Sequence, residues 1–454
     1  RIVMPSIARS HAIDTLLNSI QGGTCAAVVG LSNIGKSTLL RSLVSSEVHD
    51  RYAAHTGRQA AFVYIDCNRM IELSGQGFYE LVLRCLRESL HDLDAQLTTQ
   101  LNNYYREVVE PDTPFLAPLN FNHAMTATIE GGQRDIVLLL DEFDEAFDAL
   151  DGRVFLNLRA MRDKYPRNLI YVTATIRRLG VRRVDEQTAE FVELSAGHTH
   201  VLGPLTRADA EEMAKTLAAQ AGLEDGLTED EMAFLETLSG RHPRLLGIVA
   251  GYLLDMRLNE PAVYQAEGLD GMQAQLAADM IVRSECSRLW GQLTPDERDT
   301  LLAVAAGAGS NGLSAPVRAL LDWGLLVQCE DGSLAVFSAL FEDYIRRHAA
   351  VQKDLPPGVW VDDDSGDVWV DGILAPPLTD LEYRLLALLH SRKDKMTDKY
   401  QIVEAVWGVE YLEEVDDARI EKLVSRLRQK VELNPGEPRY LLTVRGRGYR
   451  LVTS

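Results

Sequence analysis

A stretch of the chain, residues 24–40, places glycines, a lysine and a hydroxyl residue at a spacing that suits phosphate binding. It reads TCAAVVGLSNIGKSTLL: an apolar run ends at Gly30, four residues follow, and Gly35, Lys36 and Ser37 precede a helix-forming segment. Backbone N–H groups converge on phosphate oxygens only where no Cβ blocks the approach, and a helix N-terminus adds positive potential. The G-x-x-x-x-G-K-[ST] pattern therefore predicts a phosphate-binding loop rather than an inert strand-to-helix turn.

Each loop position has an expected role in holding a nucleotide. Lys36 would reach the β- and γ-phosphates, and the Ser37 hydroxyl would ligate Mg²⁺. Asn33 replaces the third glycine that is usual in such loops, which is tolerable because Asn adopts left-handed backbone more readily than most residues. The predicted nucleotide-binding residues of the loop are Gly30, Ser32, Asn33, Ile34, Gly35, Lys36, Ser37 and Thr38.

A second candidate group of residues follows the apolar run of IVLLLDEFD, residues 136–144. Asp141 comes where this buried strand ends, and a carboxylate there can join a Mg²⁺ shell, while Glu142 can orient an attacking water. Together with Lys36 they form the predicted catalytic set, and Ser37 with Asp141 the predicted Mg²⁺ ligands. The alternative is an acidic helix start favoured by the helix dipole. Three further acids are interpreted as solvated helix charges: Asp144, Glu145 and Asp148.

Another strand, LIYVTAT at residues 169–175, ends in hydroxyl residues and is followed by two arginines. A cation there could contact the γ-phosphate and report its loss, but surface arginines after a strand would give the same pattern. His198 and His200 alternate on a further strand and could mimic a metal pair. With no third ligand in view, a structural role is favoured.

Composition limits the class of protein. A chain of 454 residues with 46% hydrophobic content should form two to four globular domains. No apolar run approaches the length of a membrane span, and no secretory signal is visible. The five cysteines form no CxxC pair, which favours reduced, buried thiols and argues against zinc. The prediction is a cytoplasmic protein without a membrane partner.

The C-terminal region has a charge opposite to that of the whole chain. The formal net charge is −21, yet residues 419–450 hold nine basic residues against three acidic ones. In a helix over residues 416–432, the apolar residues fall on one face, and Lys422, Ser425, Arg426 and Gln429 on the other. A hairpin over residues 440–452 follows, tipped by arginines. A helix buried on one side with long donors on the other suits a DNA major groove, and the hairpin tip can reach phosphates.

The motifs of the first three quarters together resemble the STAND class of signalling NTPases, a branch of the AAA+ superfamily. They are the loop GLSNIGKS, the strand end LLLDEFD, the strand end TATIRR and the helix start GRHPRLL. The resemblance implies ATP and ADP as ligands with Mg²⁺. It also implies that Pro243 and Arg244 contact adenine and that Arg177 senses the γ-phosphate.

The C-terminal segments LTDLEYRLLALL, SRLRQKVE and YLLTVRGRGYRLV resemble the winged-helix effector domain of OmpR/PhoB-type response regulators. That resemblance implies double-stranded DNA as the partner. It places recognition-helix contacts on Ser425, Arg426 and Arg428, and wing contacts on Thr443, Arg445 and Arg447. Arg419 and Lys422, from the local basic excess, complete the predicted DNA-binding set.

The expected fold is an α/β P-loop NTPase with a parallel sheet, a helical lid and a winged-helix domain, followed by a second, C-terminal α+β winged helix. Capping boxes predict helix starts after Thr228, Thr294 and Thr379. The predicted boundaries are 1–204 for the NTPase domain, 205–284 for the lid, 285–351 for the first winged helix, 352–358 for a linker and 359–454 for the DNA-binding winged helix.

The predicted function is a transcriptional regulator in which ADP keeps the chain closed, and ATP with an unknown signal or partner protein releases the C-terminal winged helix to bind DNA. ATP-dependent homo-oligomerisation fits this scheme, and hydrolysis would act as a slow switch. Three alternatives stay open: an ATP-driven initiator or remodeller, a STAND-type antiviral defence protein whose winged helix senses nucleic acid or a partner, and a pseudo-enzyme that holds nucleotide structurally.

Overall fold

The computed structural model describes residues 9–90, 94–113, 115–183, 185–223, 225–307, 314–352, 357–362, 367–375, 378–408, 417–432, 434–444 and 446–452. The chain divides into two compact units, Val3–Met213 and Ala214–Ser454. Most of the predicted linker, residues 353–356, lies outside the described residues. None of the described helices combines the length and the apolar character that a bilayer crossing requires.

The first unit is built around a parallel sheet. Its strands are β1 (Ala26–Val29), β2 (Gln59–Asp66), β3 (Arg134–Asp141), β4 (Leu169–Thr175) and β5 (Thr199–Val201). All four pairings are parallel, in the order β2-β3-β4-β1-β5. Strand β4 therefore lies between β1, which feeds the glycine-containing loop, and β3, which ends at the acidic pair. The predicted parallel α/β architecture is confirmed.

Helices cover both faces of this sheet, as parallel strands require. They are α1 (Ser10–Gln21), α2 (Lys36–Ser42), α3 (Ser46–Thr56), α4 (Gly75–Ser89), α5 (Ala95–Val109), α6 (Leu116–Thr126), α7 (Phe143–Ala149), α8 (Gly152–Lys164), α9 (Leu179–Arg182) and α10 (Glu186–Glu193). A short 3₁₀ turn, Cys67–Arg69, follows β2, and a π turn, Ala127–Gly131, follows α6. Helix α11 (Arg207–Gln220) contains the boundary between the units.

The alternation of side chains along β3 explains the two apolar layers. Ile136, Leu138 and Leu140 face a core shared with α4 to α8, while Val137 and Leu139 face a core shared with α1 to α3. Every residue of β3 from Ile136 to Leu140 is 0% exposed. Asp141, the last residue of β3, is the first polar residue after this continuous apolar run.

The second unit begins with helices. They are α12 (Glu229–Ser239), α13 (Pro243–Asn259), α14 (Pro261–Ala278), which bends at Gly268, and α15 (Met280–Gly291). Next come α16 (Pro295–Ala305), α17 (Ala315–Asp322), the hairpin β6 (Leu326–Gln328) and β7 (Leu334–Val336), and α18 (Ala339–Gln352). Two of the predicted capping boxes, at Thr228 and Thr294, are formed. Residues 295–352 thus show the order of helix, helix, hairpin and helix that is typical of the winged helix expected in this part of the chain.

The C-terminal part of the second unit is a winged helix. It contains β8 (Val359–Val361), β9 (Val368–Val370), β10 (Ile373–Leu374), α19 (Asp380–Ser391), α20 (Lys399–Val406), α21 (Asp417–Val431), β11 (Leu441–Val444) and β12 (Gly448–Leu451). Strands β8 to β10 form an antiparallel sheet, and β11 pairs with β12 as the wing. The third predicted capping box joins Thr379 to Glu382 at the start of α19.

Candidate functional site

The loop after β1 needs its first glycine because another strand end crowds it. A Cβ on Gly30 would lie 2.7 Å from the Leu202 carbonyl oxygen and 3.0 Å from Ile34 Cγ2. The Gly30 N–H donates to the Thr175 carbonyl at 3.1 Å, which ties the loop to the end of β4. Asn33 and Gly35 adopt left-handed backbone, with φ of 60° and 102°. The predicted tolerance of Asn33 for this conformation is confirmed.

Lys36 begins α2 and points back into the loop. Its ammonium donates to the Gly30 carbonyl at 2.7 Å and to the Leu31 carbonyl at 3.2 Å, and the residue is 4% exposed. Burial lowers the pKa of Lys36, while Glu142 and Asp141 raise it. The cation of the loop therefore interacts electrostatically with the acids at the end of β3.

Asp141 is a fully buried carboxylate with two donors. Its Oδ2 accepts the Tyr64 hydroxyl at 2.6 Å, and its Oδ1 accepts the backbone N–H of Glu142 at 3.0 Å. Glu142 is exposed and lies in the left-handed region at φ 49° and ψ 42°. Desolvation of its carboxylate raises the pKa of Glu142, although Lys36 has the opposite effect. Left-handed backbone at a non-glycine residue is strained, and such strain concentrates at functional sites.

The prediction that Asp144 is a solvated helix charge is wrong. Its side chain is 15% exposed, and its oxygens accept the Ile176 backbone N–H at 3.0 and 3.2 Å. Arg182 Nη1 lies 2.9 Å from Asp144 Oδ1. The β3–β4 pairing brings the end of β4 beside α7, and a periodicity argument along one helix could not show that neighbour. Glu145 and Asp148 are exposed, as predicted.

Arg177, the predicted γ-phosphate sensor, is half-buried immediately after β4, and its carbonyl accepts the Thr175 hydroxyl at 2.7 Å. It therefore follows the strand that lies between the loop strand and the acid strand. Pro243 and Arg244 belong to the second unit. Pro243 is buried at the first position of α13, as predicted, and Arg244 is exposed. The remaining loop residues lie in the first unit beside Gly30 and Lys36: Ser32, Ile34, Ser37 and Thr38.

Two residues near the loop were missed by the sequence analysis. Arg9 Nη1 donates to the Gly203 carbonyl at 2.8 Å and Nη2 to the Ile34 carbonyl at 2.7 Å. Burial lowers the pKa of Arg9 to about 10, although Asp209 raises it. Tyr64 is the second missed residue. No motif around Arg9 or Tyr64 indicates these contacts, because the hydrogen-bond partners lie far away along the chain.

His198 and His200, for which the sequence favours a structural role over metal binding, flank Thr199, the first residue of β5. Among the described residues, no cluster of three or more His, Cys, Asp or Glu could hold a metal ion. Cys25, Cys67, Cys85 and Cys286 are free and buried, and Cys329 is free and exposed.

Helix α21 has the two faces that the sequence predicted. Ile420, Val424, Leu427 and Val431 are each 1% exposed or less. On the opposite face, the side chains of Arg419, Lys422, Ser425, Arg426 and Gln429 are exposed. Arg419 also lies over the Trp407 ring, with its guanidinium carbon 5.6 Å from the centroid. The exposed face thus offers cations and hydrogen-bond donors.

Two predicted DNA contacts bind each other. Arg428 is half-buried and donates to the Leu441 carbonyl at 3.0 and 2.7 Å and to the Thr443 hydroxyl at 2.8 Å. This guanidinium therefore joins α21 to the wing. Arg447 is exposed in the turn of the wing, and Arg445 lies outside the described residues.

Glu382, which caps α19, also holds the helix with the basic face. Lys430 Nζ lies 2.6 Å from Glu382 Oε2, and Arg426 Nε lies 3.9 Å from Oε1. Burial would raise the pKa of Glu382, but the Lys430 and Thr379 hydrogen bonds outweigh it and hold the pKa below its ordinary value. These contacts join the C-terminal half of α21 to the start of α19.

Comparison with known proteins identifies two segments. Residues 375–451 match the family described as "Transcriptional regulatory protein, C terminal". A probable transcriptional regulatory protein of Picosynechococcus sp. is 42% identical over 73 residues, which are 16% of this chain and 28% of that protein. The alkaline phosphatase synthesis transcriptional regulatory protein SphR of Synechococcus elongatus is 40% identical over 74 residues, again 16% and 28%. The match thus spans less than a third of these relatives.

Solved structures show weak likenesses. The Walker-type ATPase PABY2304 of Pyrococcus abyssi has a TM-score of 0.46 and 15% identity, covering 75% of this chain and 96% of its own. The ORC2 protein of Aeropyrum pernix has a TM-score of 0.43 and 13% identity, covering 76% and 95%. At these scores, neither likeness supports a functional assignment.

The longer match concerns the loop and the acids described above. Residues 7–300 match the family described as "Novel STAND NTPase 1", which is more than half of the chain. Both predicted resemblances, to STAND NTPases and to OmpR/PhoB-type effector domains, are confirmed. This protein belongs to the novel STAND NTPase 1 family and carries a transcriptional-regulator domain of the OmpR/PhoB type at its C-terminal end.

Proposed function

We propose that this protein is an ATP/ADP-switched regulator of transcription, in which the nucleotide held by the first unit controls DNA binding by the C-terminal winged helix. The observation that carries the proposal is the presence of two sites in one chain. The first is a phosphate-type loop whose Lys36 lies in the field of Asp141, and the second is a helix with an exposed basic face. A chain that holds both a nucleotide site and a DNA-binding surface suits a protein in which nucleotide binding controls DNA binding.

The chemistry of the loop fits a nucleotide. A Cβ at Gly30 would collide with the Leu202 carbonyl, so the narrow turn excludes other residues, and Gly35 supplies the left-handed step into α2. The first N–H groups of a helix have no intrahelical partner and can donate to phosphate oxygens. Lys36 supplies a cation to the same place. These groups would bind the phosphates of ATP or ADP.

The donor set also fits Mg²⁺. The Ser37 hydroxyl and the Asp141 carboxylate are oxygen ligands of the kind this ion prefers. Ser37 lies in the first turn of α2, and Asp141 is the last residue of β3. When bound, Mg²⁺ would neutralise phosphate charge. Glu142, which is exposed beside the buried Asp141, would accept a proton from water. Slow hydrolysis by Glu142 would return the chain to its ADP form.

In the C-terminal winged helix, Lys422 and Arg426 would enter the major groove of DNA, and Arg447 in the wing would contact the DNA phosphate backbone. Arg428 and Thr443 would act by holding the wing against α21 through their mutual hydrogen bond. A protein of net charge −21 lacks general affinity for nucleic acid, so this local surface would carry the binding. The protein would act in the cytoplasm, where it can reach DNA. Its ATP form would self-associate, and a signal or partner protein would activate it.

The test is selection of bound fragments from genomic DNA by the full-length chain, with ADP or with a non-hydrolysable ATP analogue. We expect enrichment of fragments upstream of genes, and only with the ATP analogue. A matched protein with Lys422→Ala and Arg426→Ala should enrich none. Strong DNA-stimulated ATP turnover without enrichment of upstream fragments would contradict the proposal and favour an initiator or remodeller.

A further inference from the structure

We propose that Tyr64 is a positioning residue for Asp141, and that its hydroxyl tunes how strongly the nucleotide pocket takes Mg²⁺. The inference rests on the proposed function, because it concerns the same pocket. Tyr64 lies on β2 and Asp141 ends β3, and the Tyr64 hydroxyl donates to Asp141 Oδ2 at 2.6 Å. Nothing in the loop motif itself requires this hydrogen bond.

The bond controls a carboxylate that has few other partners available. Asp141 is 0% exposed, so bulk water cannot take the place of a donor that is removed. Loss of a donor would leave a buried carboxylate oxygen without its hydrogen bond, which is destabilising. Its Oδ1 accepts the Glu142 N–H, and its Oδ2 accepts Tyr64. A carboxylate has about four acceptor positions. Two fixed donors thus set its orientation and leave acceptor capacity for a metal or a metal-bound water.

Tyr64 is itself held from the side of the loop. The Arg41 guanidinium carbon lies 4.8 Å from the centroid of the Tyr64 ring. Arg41 belongs to α2, the helix that the phosphate-type loop opens. A chain of contacts therefore runs from the loop helix through Arg41 and Tyr64 to Asp141.

Partners of this kind orient metal ligands, and removing one changes metal affinity by about 10- to 100-fold. A purely structural role for Tyr64 would weaken nucleotide binding with and without metal alike. A positioning role would weaken only the part of binding that depends on Mg²⁺. The two roles are thus separable without measuring hydrolysis.

The experiment measures binding of a fluorescent ADP analogue to the full-length chain, first in EDTA and then across a Mg²⁺ titration. Tyr64→Phe should leave the EDTA affinity within about twofold of wild type and raise the half-effective Mg²⁺ concentration about tenfold. Tyr52→Phe is the matched control, because Tyr52 donates at 2.7 Å to Asp135 near the other end of β3. It should not shift the Mg²⁺ titration.

A second variant covers the case in which Tyr64→Phe does not fold. Arg41→Gln changes an exposed side chain and should shift the Mg²⁺ titration about twofold to threefold in the same direction. An unchanged titration in the folded variants, or an equal loss in EDTA, overturns the inference while the proposed function stands. Failure of the wild-type chain to bind the nucleotide at all overturns both.

Discussion

Asp144 accepts the backbone N–H of Ile176 through both of its carboxylate oxygens, at 3.0 and 3.2 Å. The bond joins α7, which follows the acidic pair, to the segment after β4 that carries Arg177. Arg182 completes the contact from α9. The pKa of Asp144 is raised above its ordinary value, because the effect of burial outweighs the opposite effects of the Ile176 N–H and Arg182. We therefore expect Asp144 to couple the end of the acid strand to the segment that carries Arg177, the proposed γ-phosphate sensor.

Replacing Asp144 by Asn should impair discrimination between ATP and ADP. The amide keeps the size of the side chain but loses its charge and one acceptor oxygen, so the segment that carries Arg177 loses part of its anchor. We expect ADP affinity within about twofold of wild type and an affinity for a non-hydrolysable ATP analogue about tenfold lower, a size typical of coupling between sites. Titration calorimetry with both nucleotides measures the two affinities.

The control for this change is Asp148→Asn, which alters a 44% exposed carboxylate that contacts the same Arg182. It should leave both affinities unchanged. If Asp144→Asn lowers the two affinities equally, the residue supports the pocket as a whole and does not act through the sensor segment.

Replacing Gly30 by Ala should close the loop to nucleotide. The new Cβ would lie 2.7 Å from the Leu202 carbonyl oxygen, and backbone atoms must move to relieve the contact. Overpacking of this kind costs about 1–3 kcal/mol in the free energy of unfolding. Thermal unfolding with and without ADP should show a lower midpoint and a smaller stabilisation by ADP. Gly197→Ala, where a Cβ meets nothing within 4 Å, should match wild type in both.

Replacing Arg9 by Ala should loosen the loop from outside the motif. The guanidinium bridges the Ile34 and Gly203 carbonyls, and its removal leaves both without this donor. We expect a loss of about 1–3 kcal/mol in the free energy of unfolding, measured by urea denaturation. Arg51→Ala, which removes a 41% exposed side chain paired with an exposed Asp14, should cost less than about 1 kcal/mol. Equal losses for the two variants would show that Arg9 contributes no more than a surface arginine.

The local part of this architecture could be predicted from sequence, and the long-range part could not. The apolar run of β3, the capping box at Thr379 and the two faces of α21 depend on spacing within one element, which side-chain periodicity reveals. The partners of Asp144 and Tyr64 depend on which strands pair, and no single segment encodes that. Arg428 shows the limit most clearly. It fits a DNA-contact pattern, yet its hydrogen bonds go to the wing of its own domain.

Replacing Arg428 should therefore lower stability, whereas replacing Arg426 should lower DNA affinity. Arg428→Ala removes donors from the Leu441 carbonyl and the Thr443 hydroxyl, and we expect a loss of about 1–3 kcal/mol in the free energy of unfolding. Arg426→Ala removes a 49% exposed side chain and should change stability by less than about 0.5 kcal/mol while it weakens DNA binding. Unfolding curves and DNA titrations of both variants test this, and an unchanged stability for Arg428→Ala would contradict it.

The central claim is that the nucleotide held at Lys36 controls the DNA-binding surface. The most direct test is the affinity of the full-length chain for a selected DNA duplex, measured over a series of salt concentrations with ADP and with a non-hydrolysable ATP analogue. We predict binding about tenfold tighter with the ATP analogue, a steeper salt dependence, and no difference between nucleotides for Lys36→Ala. Equal affinity, salt slope and stoichiometry with the two nucleotides in the wild-type chain would contradict the claim.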